Sequence, residues 1–218
     1  MTPYYQDELV TIYCGLCDGL LPQLQFNAIV TDPPYGIAHP TNYAARGRGD
    51  LAQCTDYAPV HNDDKPFDPS DLLRFKLPTV LWGANYYADK LPPSSGWLVW
   101  DKMRPHTLDQ STCELAWTNF VKGVRCFRYL WNGAIRDGED FLSHPTQKPI
   151  ALNEWTLRLK WMPDGVIVDP YMGSGSLLVA AIRNGRKAIG IEVSEEYCAI
   201  AASRCENEKT QPTLAMLV

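Results

Sequence analysis

"GVIVDPYMGSGSLLVAAIRNGRKAIGIEVSEEYCAIAASR", residues 165–204, alternates two short apolar runs with two longer segments of helical period. "GVIVDP" (Gly165 to Pro170) is a continuous β-branched run bounded by turn residues, which predicts a buried strand. "SLLVAAIRNG" repeats apolar residues at helical spacing and stops at Gly185, a residue suited to a C-terminal cap. "KAIGIEV" (Lys187 to Val193) predicts a second buried strand. "SEEYCAIAASR" predicts a second helix, with Ser194 as N-cap and acids in its first turn. Strand, helix, strand, helix at this density means a mostly parallel sheet covered by helices on both faces, an α/β fold.

The first half repeats this grammar with longer connections. "LVTIYCG" (9–15) reads as a strand, "DGLLPQL" (18–24) as a short helix and "FNAIVTD" (26–32) as the next strand. "PTVLWGAN" (78–85) and "GWLVWDK" (96–102) predict two more strands with "YYADKL" (86–91) as a short helix between them. "CELAWTNF" (113–120) is a further short element, and "VRCFRYLWNG" (124–133) alternates enough to be a late, antiparallel strand. Residues 36–77, which include "NYAARGRGD" and "HNDDKPFDPSD", predict a long, polar, mobile loop of the kind that serves as a lid or binding loop. Neither an internal repeat nor a linker to a second domain is visible, so residues 1–218 are expected to form one domain.

Composition narrows the function classes. At 218 residues and 45% hydrophobic content the chain can build a real core, and its apolar stretches fall short of a membrane span. The amino terminus lacks a signal-peptide pattern, so a soluble cytoplasmic protein without a membrane partner is expected. A net charge of −5 argues against a uniformly basic nucleic-acid binder but allows a local cationic face. Seven cysteines, an odd number without regular spacing, fit a reducing compartment. Cys14 and Cys17 have C-x-x-C spacing but no second pair at zinc-ribbon distance, and His61 with Asp63 and Asp64 reads as a polar loop; no metal is expected.

Two turns carry chemistry. "DPYMGSGS" (Asp169 to Ser176) joins a strand to a helix, and Gly173 and Gly175 let the backbone approach a ligand at the helix N-terminus. The turn is shorter than the dinucleotide fingerprint and has no P-loop lysine, so neither a pyrophosphate nor a triphosphate is favoured. Glu192 ends the next strand, where a carboxylate can accept both hydroxyls of a ribose. The second turn is "VTDPPYG" (30–36), directly after the run "NAIV". Pro33 and Pro34 hold the chain extended and cannot donate to a ladder, which fixes Asp32 and Tyr35 at the C-terminal end of a strand. In open α/β sheets that edge is where ligands bind.

"TDPPYG", "HPTQKP" (His144 to Pro149), "DPYMGSGS" and "GIEVSEEYC", in that order, resemble the amino-group DNA methyltransferases of the β arrangement, in which the target-base motif precedes the S-adenosylmethionine motif. The resemblance runs from about Glu8 to Arg204. It implies a Rossmann-like methyltransferase fold, S-adenosylmethionine as methyl donor with S-adenosylhomocysteine as product, and DNA with a flipped target base as substrate. It implies roles too: Asp32, Pro33, Pro34 and Tyr35 at the reacting amine, Asp169, Tyr171, Gly173, Gly175 and Ser176 near the methionine moiety, and Glu192 at the ribose. Thr146 and Lys148 become candidates for the methionine carboxylate, and Leu16, Cys17 and Asp32 for further cofactor contacts. Dimers are common in the family, so a homodimer is a possible assembly. Aspartate at the first position of the tetrapeptide is commonest for adenine-N6 enzymes; cytosine-N4 transfer is the nearest alternative.

Two departures stand out. Where the family usually carries "GDC", this chain reads "GLC" with Leu16, which bears on adenine recognition in the cofactor. The segment "WNGAIRDGEDFLSHPTQKP" (131–149) leaves little room for the target-recognition domain that usually sits before "HPTQKP", so no sizeable one is expected, and short loops must contact DNA. Arg46, Arg48, Lys102, Arg104 and Arg136 are the candidate phosphate ligands. These departures also motivate a different class, a non-catalytic DNA-binding or partner subunit that keeps the fold.

Overall fold

The computed structural model describes residues 1–37, 61–104, 111–132, 135–136 and 147–210. In chain order the strands are β1 (Tyr5–Gln6), β2 (Val10–Cys14), β3 (Ala28–Thr31), β4 (Thr79–Trp82), β5 (Gly96–Asp101), β6 (Cys113–Thr118), β7 (Val124–Arg128), β8 (Trp131–Asn132), β9 (Ile135–Arg136), β10 (Ile167–Asp169) and β11 (Ala188–Glu192). The α-helices are α1 (Cys17–Leu20), α2 (Ser70–Leu73), α3 (Ile150–Leu157), α4 (Ser176–Arg183) and α5 (Glu195–Thr210). These elements form two compact units: Met1–Thr31 with the segment from Lys148 onward, and Asp32–Gln147.

The first unit holds the strand order β1-β2-β11-β10-β3. β2, β11, β10 and β3 run parallel, as the crossover pattern requires, and β3 and β10 are buried throughout. Register pairs Asp169 with Gly190 and Glu192 with Cys14, so the C-terminal ends of β10, β11 and β2 share one edge. α3 packs on α4, and α4 on α5. At the start of α4 the backbone of Gly175 is left-handed (φ 79°), and a Cβ there would sit 2.8 Å from the Cβ of Ala201, so this turn accepts only glycine without displacing α5.

β1 was not legible in the sequence, because two residues carry no period. It is made by Asp7. One oxygen of that carboxylate accepts the amides of Leu9 (2.7 Å) and Val10 (2.8 Å), and the other accepts the Tyr5 hydroxyl (2.9 Å) and pairs with Lys209 (3.1 Å). Burial alone would push the Asp7 carboxyl up, but these partners together hold it below the ordinary aspartate value of 3.8. A depressed folded value stabilises the fold above the unfolded value, and the contribution fades as pH falls through the folded one. Asp7→Ala is therefore expected to lower unfolding free energy by about 2 kcal/mol at pH 7. Urea melts check this: the gap to wild type should narrow toward pH 2, and a gap of constant size would show that the charge is not its source.

The second unit holds the strand order β4-β6-β5-β7, with β8 and β9 as a separate small hairpin. β6 is antiparallel to both β4 and β5, whereas β7 is parallel to β5. The antiparallel strand is thus Cys113–Thr118 and not the Val124 run that the sequence pointed to. The connection between β6 and β7 carries the chain past the start of β5: a Cβ at Gly96 would overlap the carbonyl oxygen of Val121 and lie 2.9 Å from that of Thr118. Alternation reveals a strand but not its direction, and the reversal is spent one strand earlier than expected. "YYADKL" forms parts of two single 3₁₀ turns, Ala84–Tyr86 and Ala88–Lys90, rather than one helix. Inside the stretch expected to be a loop, residues 61–77 contain α2 with Leu72 buried, and the Phe67 ring meets Tyr87 edge-on at 5.0 Å.

Candidate active site

In the first unit the strand-end turns are tied together by two carboxylates. Asp169, at the end of β10, is buried and accepts the Thr31 hydroxyl at 2.6 Å and the Tyr171 amide at 3.1 Å through one oxygen. Glu192, at the end of β11, accepts the Gly173 amide at 3.1 Å with one oxygen and the Ser194 amide at 2.9 Å with the other. These bonds orient both carboxylates at the C-terminal edge of the parallel strands and tie the glycine turn to the start of α5. Gly173 (φ 50°) and Gly175 are both left-handed. Arg204 of α5 reaches back to the same turn, donating to the Ser174 carbonyl (2.7 Å), the Ser174 hydroxyl (2.9 Å) and the Ser176 hydroxyl (3.3 Å).

Around this turn, Tyr171 is hydrogen-bonded to the Cys17 thiol, which burial pushes up to about 11, so Cys17 stays a neutral thiol at physiological pH. Leu16 stands at the start of α1 with 56% of its surface exposed. Lys148 is buried, and Pro149 caps α3, the helix entry that "HPTQKP" predicts.

In the second unit the DPPY turn opens directly after Thr31, the last residue of β3. Pro33 is buried, and Asp32, Pro34 and Tyr35 are half-buried. The Tyr35 hydroxyl is hydrogen-bonded to Asp32 Oδ1 and lies 2.8 Å from Glu114 Oε1. Burial first, then the charges of Asp32 and Glu114, push the Tyr35 phenol well above its ordinary value. Its ring stacks on Tyr86 at 4.9 Å and 15°, and a Cβ at Gly83 would overlap the ring, so the left-handed glycine after β4 makes room for it. Behind the turn, Asp63 is buried and accepts the Gly36 amide at 2.9 Å, which pins the chain as it leaves Tyr35. The other oxygen of Glu114 pairs with Lys102 at 2.9 Å, with 16% of the lysine side chain and 12% of the glutamate exposed.

A DNA methylase family model matches residues 98–203. The type II methyltransferase M2.LlaDCHI of Lactococcus lactis subsp. cremoris is 37% identical over 251 residues, an alignment that covers 95% of this chain and 93% of that protein. The chain belongs to the amino-group DNA methyltransferases. Solved structures share the fold of this methyltransferase: the cytosine-N4-specific PvuII DNA methyltransferase (TM-score 0.59, 16% identity, 93% of this chain and 88% of that one) and the M1.HpyAVI complex with S-adenosylmethionine (TM-score 0.52, 22% identity, 90% and 100%).

The structure groups the sequence-derived residues of the methyltransferase by unit. Asp169, Tyr171, Gly173, Gly175, Ser176, Glu192, Leu16, Cys17 and Lys148 belong to the first unit; Asp32, Pro33, Pro34 and Tyr35 belong to the second. Thr146, Arg46 and Arg48 lie outside the described residues, and for Arg136 only the backbone, in β9, is described. Lys102 is paired with Glu114 and sits 4.8 Å over the Trp100 ring, with 16% of its side chain exposed. The Arg104 guanidinium donates to the Trp131 carbonyl at 3.3 Å and 3.4 Å, and burial lowers its pKa. Among the described residues no group of three or more His, Cys, Asp or Glu side chains could hold a metal ion, and no helix is long and apolar enough to cross a membrane.

Sequence reading missed Glu114, Asp63 and Arg204. An acid inside the otherwise apolar run "CELAWT" is the one available signal for Glu114. Arg204 and Asp63 give none, since their partners lie 28 or 30 and 26 or 27 residues away.

Proposed function

We propose that this chain transfers a methyl group from S-adenosylmethionine to the exocyclic N6 amine of an adenine flipped out of DNA. The observation that carries the reading is the DPPY turn, which sets a half-buried carboxylate and an aromatic ring directly after a buried parallel strand. An exocyclic amine is a poor nucleophile because its lone pair is conjugated into the ring. Acceptors that hold the amine hydrogens favour a more tetrahedral nitrogen and fix the attacking lone pair in line. Asp32 serves as one acceptor and the Pro33 carbonyl as a second, while Pro34 has no N–H to compete. The Tyr35 and Tyr86 stack offers an aromatic platform for an extruded base.

The donor set of the first unit fits the cofactor. Two carboxylates oriented by backbone amides, on a turn whose glycines leave space where side chains would intrude, suit a nucleoside with hydroxyls and an amino group but no phosphate. Glu192 would take the ribose hydroxyls, Asp169 and the Gly173 turn the methionine moiety, and Lys148 its carboxylate. Bound there, S-adenosylmethionine supplies an electrophilic methyl group on a sulfonium. Aspartate as the first residue of the tetrapeptide supports adenine over cytosine. Arg46, Arg48, Arg104 and Arg136 are proposed for the phosphates.

The reading is tested in a host free of its own DNA methylation. Single-molecule sequencing of genomic DNA from the expressing strain should show N6-methyladenine at a recurring site. N4-methylcytosine instead would reassign the base, and unmodified DNA with the purified chain failing to bind S-adenosylmethionine would point to a non-catalytic subunit.

A further inference from the structure

We propose that Glu114 is a positioning residue for the transfer: it takes over the Tyr35 hydroxyl proton when the target amine arrives, and so releases Asp32 to accept the amine hydrogens. The proposal rests on the methyl-transfer reading above and names a device within its amine-binding half. A phenol has one proton, and here two carboxylate oxygens, Asp32 Oδ1 and Glu114 Oε1, lie within hydrogen-bond distance of its oxygen. The proton can serve one of them at a time. While it is donated to Asp32, that carboxylate is partly neutralised and one of its acceptor positions is taken, which is the wrong state for gripping an amine.

Glu114 is built to be the second acceptor. The β5–β6 pairing sets it opposite Trp100, and the chain just beyond β5 brings the Lys102 ammonium onto its other oxygen. The ammonium is held in turn over the Trp100 ring, and the positive charge of Arg104 also acts on this site. With Lys102 on its Oε2, Glu114 turns Oε1 to the phenol at 2.8 Å, and the phenol between the carboxylates keeps its proton. Among the described residues, Asp32, Glu114, Lys102 and Arg104 bring charge to this hydroxyl, and Tyr86 and Gly83 hold its ring in place. A rotation of one O–H bond then moves the proton from Asp32 to Glu114 without leaving a buried hydroxyl unsatisfied.

The test is a double-mutant cycle on single-turnover methylation of unmethylated DNA with methyl-labelled S-adenosylmethionine. In Glu114→Gln the carbonyl turns to Lys102 and the amide presents a donor to Tyr35, so the hydroxyl stays on Asp32. The rate is expected to fall about 10- to 100-fold, with the cofactor Kd unchanged. In a Tyr35→Phe background, slower than wild type in its own right, no proton needs handing over, and adding Glu114→Gln should cost no more than about twofold. Glu114→Asp keeps the charge beside Lys102 but withdraws the oxygen from Tyr35. It should reproduce the slow rate and is the variant to read if Glu114→Gln melts early. An equal cost in both backgrounds, or an undiminished rate with either variant, would overturn the proposal while leaving the methyl-transfer reading intact. A wild-type protein that labels no DNA would overturn both.

Discussion

Asp32→Ala is expected to slow single-turnover methylation by about 100- to 1,000-fold, the range seen when one preorganised hydrogen-bonding partner of a reacting group is removed. The cofactor Kd should stay within about twofold, since the bonds that orient the carboxylates assigned to S-adenosylmethionine, Asp169 and Glu192, run to the Thr31 hydroxyl and to the amides of Tyr171, Gly173 and Ser194. The Tyr35 hydroxyl keeps an acceptor in Glu114, so the turn should survive the substitution. Rapid-quench transfer of labelled methyl together with calorimetric titration of the cofactor separates the two effects. A variant that retained more than a tenth of the wild-type rate would remove Asp32 from the reacting amine.

The second large effect is expected in the other unit. Glu192→Ala should weaken S-adenosylmethionine binding by about 100-fold or more, because it deletes two acceptors for the ribose and also unties the amides of Gly173 and Ser194. Both amides sit at helix entrances, so the variant should melt at lower temperature as well. Glu192→Gln offers a single acceptor oxygen and should fall between alanine and wild type. Calorimetry reads the affinity, and a Kd indistinguishable from wild type in the alanine variant would show that the ribose is held elsewhere.

How much of this was visible beforehand follows from the range of the interactions. β10, α4, β11 and α5 were legible because each is fixed by its own period and its own caps: the β-branched run before Asp169, the apolar stripe that ends at Gly185, the acids after Ser194. The DPPY turn was legible because its stiffness is local to two prolines. β6 and β7 were placed as elements, yet their directions depend on a connection that slides past Gly96, and that contact has no counterpart in the local pattern. The supports of the site were hidden for the same reason. Asp63 is 27 residues from Gly36, Glu114 is 79 from Tyr35, and Arg204 is 30 from Ser174, so only the fold brings them together. Lys102, a candidate phosphate ligand by its charge, is paired with Glu114 of β6, a partner 12 residues away that no local pattern reveals.

Transfer of a methyl group from S-adenosylmethionine to an adenine amine in DNA, as proposed above, has one decisive test. The most direct measurement uses purified protein, unmethylated duplex DNA and methyl-labelled cofactor, followed by digestion to nucleosides and mass spectrometry of the labelled product. Label is expected in N6-methyladenine and is lost in Asp32→Ala; label in N4-methylcytosine, or DNA that stays unlabelled, would contradict adenine-N6 transfer.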